Sequence, residues 1–148
     1  MTDDEFLTAF EECKLARQDW THEAHIRMAW LYLTQLPDAE SALDRVRSGI
    51  KKLNAAFARQ RSPLCRAANP KDARGLTGYH ETITAAFVAV IASRIGLSED
   101  FAAFRDHNPD LFDRKLTALL KHYRPERLYS PTAKKEFIEP DLIPLPTA

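Results

Sequence analysis

The chain has 148 residues, 45% of them hydrophobic and 28% charged, with 21 basic and 21 acidic side chains. That length supports one ordinary core and is short for two, and a formal net charge of zero gives no global field to draw in nucleic acid or an anionic membrane surface. The acidic start MTDDEFLTAF lacks the basic and apolar regions of a signal peptide, and no apolar run approaches the roughly 18 residues of a membrane span, so one cytoplasmic domain is expected.

Helical spacing dominates, and neither an alternating strand nor a repeat is evident. Asp3 to about Leu15 carries Phe6, Leu7, Phe10 and Cys13 on one face, a short first helix. Thr21 to Leu36 forms the second, with Thr21 or Asp19 as N-cap and Pro37 marking its end. The third runs from about Asp38 to Phe57, striped by Ala42, Val46, Ile50 and Leu53 and slightly weakened by Gly49. From Ala58 to Leu76 the pattern lapses among Pro63, Pro70 and Gly75, which predicts an irregular loop of a length that is often functional.

Thr77 to Ile95 predicts a fourth helix, apolar round most of its circumference and therefore central. A short helix follows from Ser98 to Arg105, and Asn108-Pro109 opens a last long one to about Tyr123 with Phe112, Leu116, Leu119 and Leu120 inward. The tail EFIEPDLIPLPTA is proline-rich and apolar. It reads as an extended strap on the bundle, because Phe137, Ile138, Leu142 and Ile143 are poorly placed in water; a loose or partner-binding tail is the rival. The expected fold is all-α, an up-and-down four-helix-type bundle with extra short helices and this C-terminal strap.

Chemistry enters with the histidines. At about 100° per residue, His22 and His25 fall in the same arc of the second helix as Ala29, Leu33 and Leu36. Glu23 lies opposite beside Arg27, a solvated i,i+4 pair that removes it as a ligand. On the fourth helix His80 falls between Phe87 and Ile91. Short connections make successive helices antiparallel, so the second and fourth helices are expected to run the same way with their N-termini at one end. His22, His25 and His80 then reach a similar depth and form a three-histidine site for a divalent transition metal such as zinc, iron, manganese or nickel.

Three protein ligands leave an open position where a bound water is acidified, the arrangement of a catalytic centre. This expectation is a metal-dependent hydrolase or small-group transferase, with Glu81 as general base, orienting group, ligand or simply a helix cap. Arg61, Arg66 and Arg74 in the loop, with Asn54 at the edge of the third helix's apolar face and Tyr79 at the rim, would bind a small substrate or ligand, the arginines gripping a carboxylate or phosphate if it carries one. Cys65 lies in that loop without a visible activator. Cys13 and Cys65 have no metal-ligand spacing and are expected to be thiols. The competing reading is a non-enzymatic helical module that binds a ligand or partner, its histidines being polar core residues; a structural metal is a third.

The segments WTHEAH, GYHET and SPTAKKEFIEPDLIPLP together resemble the landmarks of an uncharacterised family of small bacterial helical proteins, over nearly the whole chain. That resemblance implies no established activity. A looser likeness is to DinB-like bundles, which are similar in size and hold a metal with three histidines, implying hydrolase or thiol-transferase chemistry by analogy. The pattern departs from theirs: they take histidines spaced by three residues from a late helix, whereas His22 and His25 are early and spaced by two.

Overall fold

A computed structural model describes residues 1–60, 78–96 and 99–146. Its helices are α1 Asp3–Glu11, α2 His22–Gln35, α3 Ala39–Gln60, α4 Glu81–Arg94, α5 Phe101–His107, α6 Thr117–Leu120, α7 Pro125–Leu128 and α8 Pro131–Lys135, with tight turns at Arg17–Asp19 and Pro109–Phe112. No strand occurs among the described residues, so the chain is all-α as expected. Among those residues no helix is long and apolar enough to cross a membrane.

Local chemistry sets the helix ends. Thr2 and Glu5 form a reciprocal capping box at α1, with Glu5 N donating to Thr2 Oγ1 at 3.1 Å and Thr2 N to Glu5 Oε2 at 3.2 Å. This helix stops at Glu11 rather than Leu15. Cys13 N bonds Phe10 O and Lys14 N bonds Ala9 O, while Cys13 adopts φ 58°, the left-handed closure usually given to glycine. Thr21 caps α2 by accepting from Ala24 N at 3.1 Å, and Asp38 accepts from Ser41 N at 2.7 Å ahead of α3.

The stripe of α3 is buried as its spacing predicts, with Ala42, Val46, Leu53 and Phe57 inside. Gly49 has a packing reason: a Cβ there would stand 2.4 Å from Cε2 of Phe10, so the missing side chain admits the α1 ring against the α3 backbone. Phe10 is 1% exposed and also stacks on Trp20, ring centroids 5.2 Å apart.

The direction of α4 differs from expectation. Pairing α2 with α3 through their short connection sets Arg47 near the middle of α2 and the fifties of α3 near its start. Glu81, the first residue of α4, binds Arg47, whereas Phe87, one and two-thirds turns on, packs against His22 with ring centroids 5.6 Å apart. Further along, Arg94 binds Asp110, and the adjoining Leu111 bonds His22. Helix α4 therefore runs with α3 and against α2. The antiparallel rule depends on short connections, and the stretch from Gln60 to Glu81 is not short.

The predicted last long helix is also broken. Asp113 accepts from Lys115 N at 2.8 Å and from the Thr117 hydroxyl, and Leu116 takes φ 60° before α6 begins. An aspartate bonding the backbone just after it competes with helix continuation. Leu116, Leu119 and Tyr123 still reach the core. Two short helices beyond, α7 and α8, each begin on proline, with Ser130 capping the second.

Residues 136–146 carry no helix. Ile138 and Leu145 pack on the core, but Phe137, Leu142 and Ile143 are 40%, 46% and 56% exposed, contrary to the inward placement expected of them. Main-chain hydrogen bonds hold the segment instead. Thr82 donates to Glu136 O, Tyr123 to Ile138 O and Arg127 to Glu139 O, while Leu142 N donates to His122 O.

Candidate functional site

The first turn of α2 carries His22 and His25, as its spacing predicts, yet their rings part company. His22 Nε2–H crosses to donate to Leu111 O at 2.8 Å, beneath the edge of Phe87. His25 Nδ1–H donates back to Thr21 O at 2.7 Å, and its ring stacks on Trp20 with centroids 3.8 Å apart. Burial against that indole lowers the His25 pKa to about 4, outweighing the bond to Thr21 O, which acts in the opposite sense, so the ring is neutral at pH 7.

His80 sits one residue before α4 and serves as its N-cap. Nδ1 accepts from Ile83 N at 3.1 Å, while Nε2–H donates to Leu128 O at 2.9 Å. Both ring nitrogens are therefore engaged in hydrogen bonds. Since α4 opposes α2 and His22 lies level with Phe87, the seven-residue offset to His80 corresponds to about 10 Å of helix axis. The expected convergence of His22, His25 and His80 on one divalent ion is not observed. Among the described residues no group of three or more histidine, cysteine or acidic side chains is placed to hold a metal.

Glu81 is clamped. Arg47 Nε donates to Oε1 at 2.9 Å and Nη2 to Oε2 at 2.7 Å, and the Tyr79 hydroxyl donates to Oε1 at 2.7 Å. The Arg47 hydrogen bonds lead in holding the Glu81 carboxyl below its usual range, against partial burial. Burial and the adjacent carboxylate push the Tyr79 phenol up. A carboxylate of reduced proton affinity in a bidentate guanidinium grip is a tie between α3 and α4, the reverse of a general base poised near neutral pH. Glu81 is also not the cap of α4, because His80 has that role.

Of the proposed substrate-binding residues, Tyr79 belongs to this clamp. Its ring faces Lys51 Nζ at 4.9 Å, and its carbonyl accepts from Lys134 Nζ at 2.7 Å. Asn54 is half-buried on α3. Arg61, Arg66, Arg74 and Cys65 lie outside the described residues. Glu23 pairs with Arg105 at 3.4 Å and Arg27 with Asp3 at 2.6 Å, replacing the predicted pair between Glu23 and Arg27. A shallow cavity of about 210 Å³ beside α1 and α2 is lined by Phe6, Leu15, Asp19, Thr21, Glu23 and Arg27, with Met1 and Ala24, and by none of the three histidines.

Sequence reasoning missed Arg47 and the carbonyls of Leu111 and Leu128. Arg47 sits beside the apolar stripe of α3, where a half-buried arginine calls for an anion from another helix. The two carbonyls carry no side-chain signal at all. No family model, curated protein or solved structure matches the chain.

Proposed function

We propose that the protein is a non-enzymatic helical binding module whose inward histidines serve the fold, with residues 136–146 acting as a strap across its last helices. The observation that carries this reading is that His80 has both ring nitrogens in hydrogen bonds, capping α4 and closing Leu128 O, while His22 and His25 each donate an N–H to a main-chain carbonyl. Leu128 ends α7 and Leu111 lies in the Pro109–Phe112 turn, places where carbonyls lack intrahelical partners. His22 and His80 close these ends from distant helices, a role that suits an imidazole at a helix C-terminus. A metal-dependent hydrolase or transferase would require His80, whose two ring nitrogens are both engaged, to give up a bond and the three rings to move together.

The test joins metal analysis with stability. Protein purified without an affinity tag is expected to hold less than stoichiometric zinc, iron, manganese or nickel, and a chelator should leave its melting temperature unchanged. His22→Ala and His80→Ala should each cost about 1–3 kcal/mol, since a buried carbonyl is left without its donor, with no change in metal content. One metal ion per chain, lost on replacing any of these histidines, would overturn the reading.

A further inference from the structure

The surface beneath residues 136–146 is organised around a main chain rather than side chains. The Thr82 hydroxyl donates to Glu136 O at 2.8 Å and accepts from Ile138 N at 3.2 Å. Tyr123 OH donates to Ile138 O at 2.7 Å, and Arg127 Nε to Glu139 O at 2.7 Å. His122 uses its carbonyl for Leu142 N and its Nδ1–H for Ile143 O, both at 2.9 Å. Arg124 reads a side chain, its N donating to Asp141 Oδ1 at 2.9 Å and its Nε lying 3.9 Å from Oδ2.

Two features turn this from a resting place into a binding site. Thr82 and Tyr123 are fully buried beneath this segment with their hydroxyls bonded to its main chain, so lifting it uncovers both side chains and leaves fixed bonding positions that another extended main chain would fill in the same way. The occupant, meanwhile, is lightly sealed. Ile138 and Leu145 pack down, while Phe137, Leu142 and Ile143 stay 40–56% exposed, so hydrogen bonds of about 0.5–1.5 kcal/mol each carry the contact. Recognition of an extended segment by main-chain bonds with a few side-chain anchors is a general mode of peptide capture.

We propose that Thr82, His122, Tyr123, Arg124 and Arg127 form a site for an extended peptide, filled in cis by residues 136–146 and open in trans to a partner segment with the same anchors. Those anchors are an aliphatic residue at the Ile138 position and an aspartate three residues later. The inference deepens the binding-module reading and rests on it. Because the cis segment competes at an effective concentration of about millimolar, a partner gains access when that segment is weakened or when its own anchors are stronger.

The probe is a fluorescein-labelled peptide EFIEPDLIPLP, titrated against the full chain by fluorescence anisotropy. It should bind full-length Ile138→Ala/Asp141→Ala at least tenfold more tightly than the wild type, and the peptide carrying Asp141→Ala should bind that chain about tenfold more weakly. Circular dichroism confirms folding; if the double variant does not fold, full-length Asp141→Ala alone decides. Peptide binding that is no tighter to the weakened chain than to the wild type overturns the proposal, as does equal binding of the two peptides. Failure here with a metal-free protein removes the peptide site alone, whereas stoichiometric histidine-bound metal removes the module reading itself.

Discussion

Replacing Gly49 with alanine sets two effects of opposite sign against each other. Helix propensity alone favours alanine over glycine in a helix interior by about 1 kcal/mol. The added Cβ, however, would lie 2.4 Å from Cε2 and 2.5 Å from Cζ of Phe10, so the ring must retreat by about 1 Å to reach ordinary contact. It has little room to do so, with Trp20 stacked at 5.2 Å and Tyr32 edge-on at 6.3 Å. Overpacking of this kind costs about 1–3 kcal/mol, and rigid neighbours put it at the upper end, leaving a net loss of about 1–2 kcal/mol. Urea unfolding should show the midpoint falling with little change in slope. In a Phe10→Leu background the same substitution should become neutral or stabilising, a coupling of more than about 1 kcal/mol. A stabilised Gly49→Ala single variant, or strict additivity of the two changes, would refute the wedge.

Other substitutions probe the remaining ties. His25 has a folded pKa of about 4 against 6.5 for a free ring, so the unfolded chain takes up the proton first; its contribution is full above pH 6.5 and is lost as pH falls towards 4. Partial solvent access reduces the full-shift value to roughly 2–3 kcal/mol, and His25→Gln should flatten that part of the stability curve by this amount in chemical denaturation. Arg47→Met should cost about 1–2 kcal/mol by removing the bidentate partner of Glu81, which keeps the Tyr79 hydrogen bond and the nearby Lys51 charge. Because the Glu81 pKa is depressed in the folded state, its stabilisation is present above the unfolded carboxyl pKa and lost as pH falls, and this acid limb should shrink in the variant. Cys13→Gly should raise the melting temperature by a few degrees, since the left-handed position costs a side chain about 1 kcal/mol.

Much of the helical layout was legible because periodicity and caps are local. Thr21, Asp38 and the α3 stripe needed nothing beyond their own neighbours. The failures share a cause in distance. Antiparallel order was carried across a connection too long to enforce it, which set His80 level with His22 although it lies about two turns away along α4. The clamp of Arg47 on Glu81 joins residues 34 apart, and no periodicity encodes such a pairing. Inside the predicted last helix, the leucine stripe masked the break at Leu116, where Asp113 bonds the Lys115 backbone instead of continuing the helix. The tail was read from its apolar composition, while its attachment depends on carbonyls and amides that composition does not report.

The bond from His22 to Leu111 closes a loop of 89 residues. Loop-closure entropy delays contacts of that span until nearer ones are formed, which predicts that the α2–α3 hairpin assembles first and this imidazole arrives late. Loss of such a late contact accelerates unfolding more than it slows folding. His22 is thus expected to set how long the folded molecule lasts, read as a faster unfolding rate in His22→Ala.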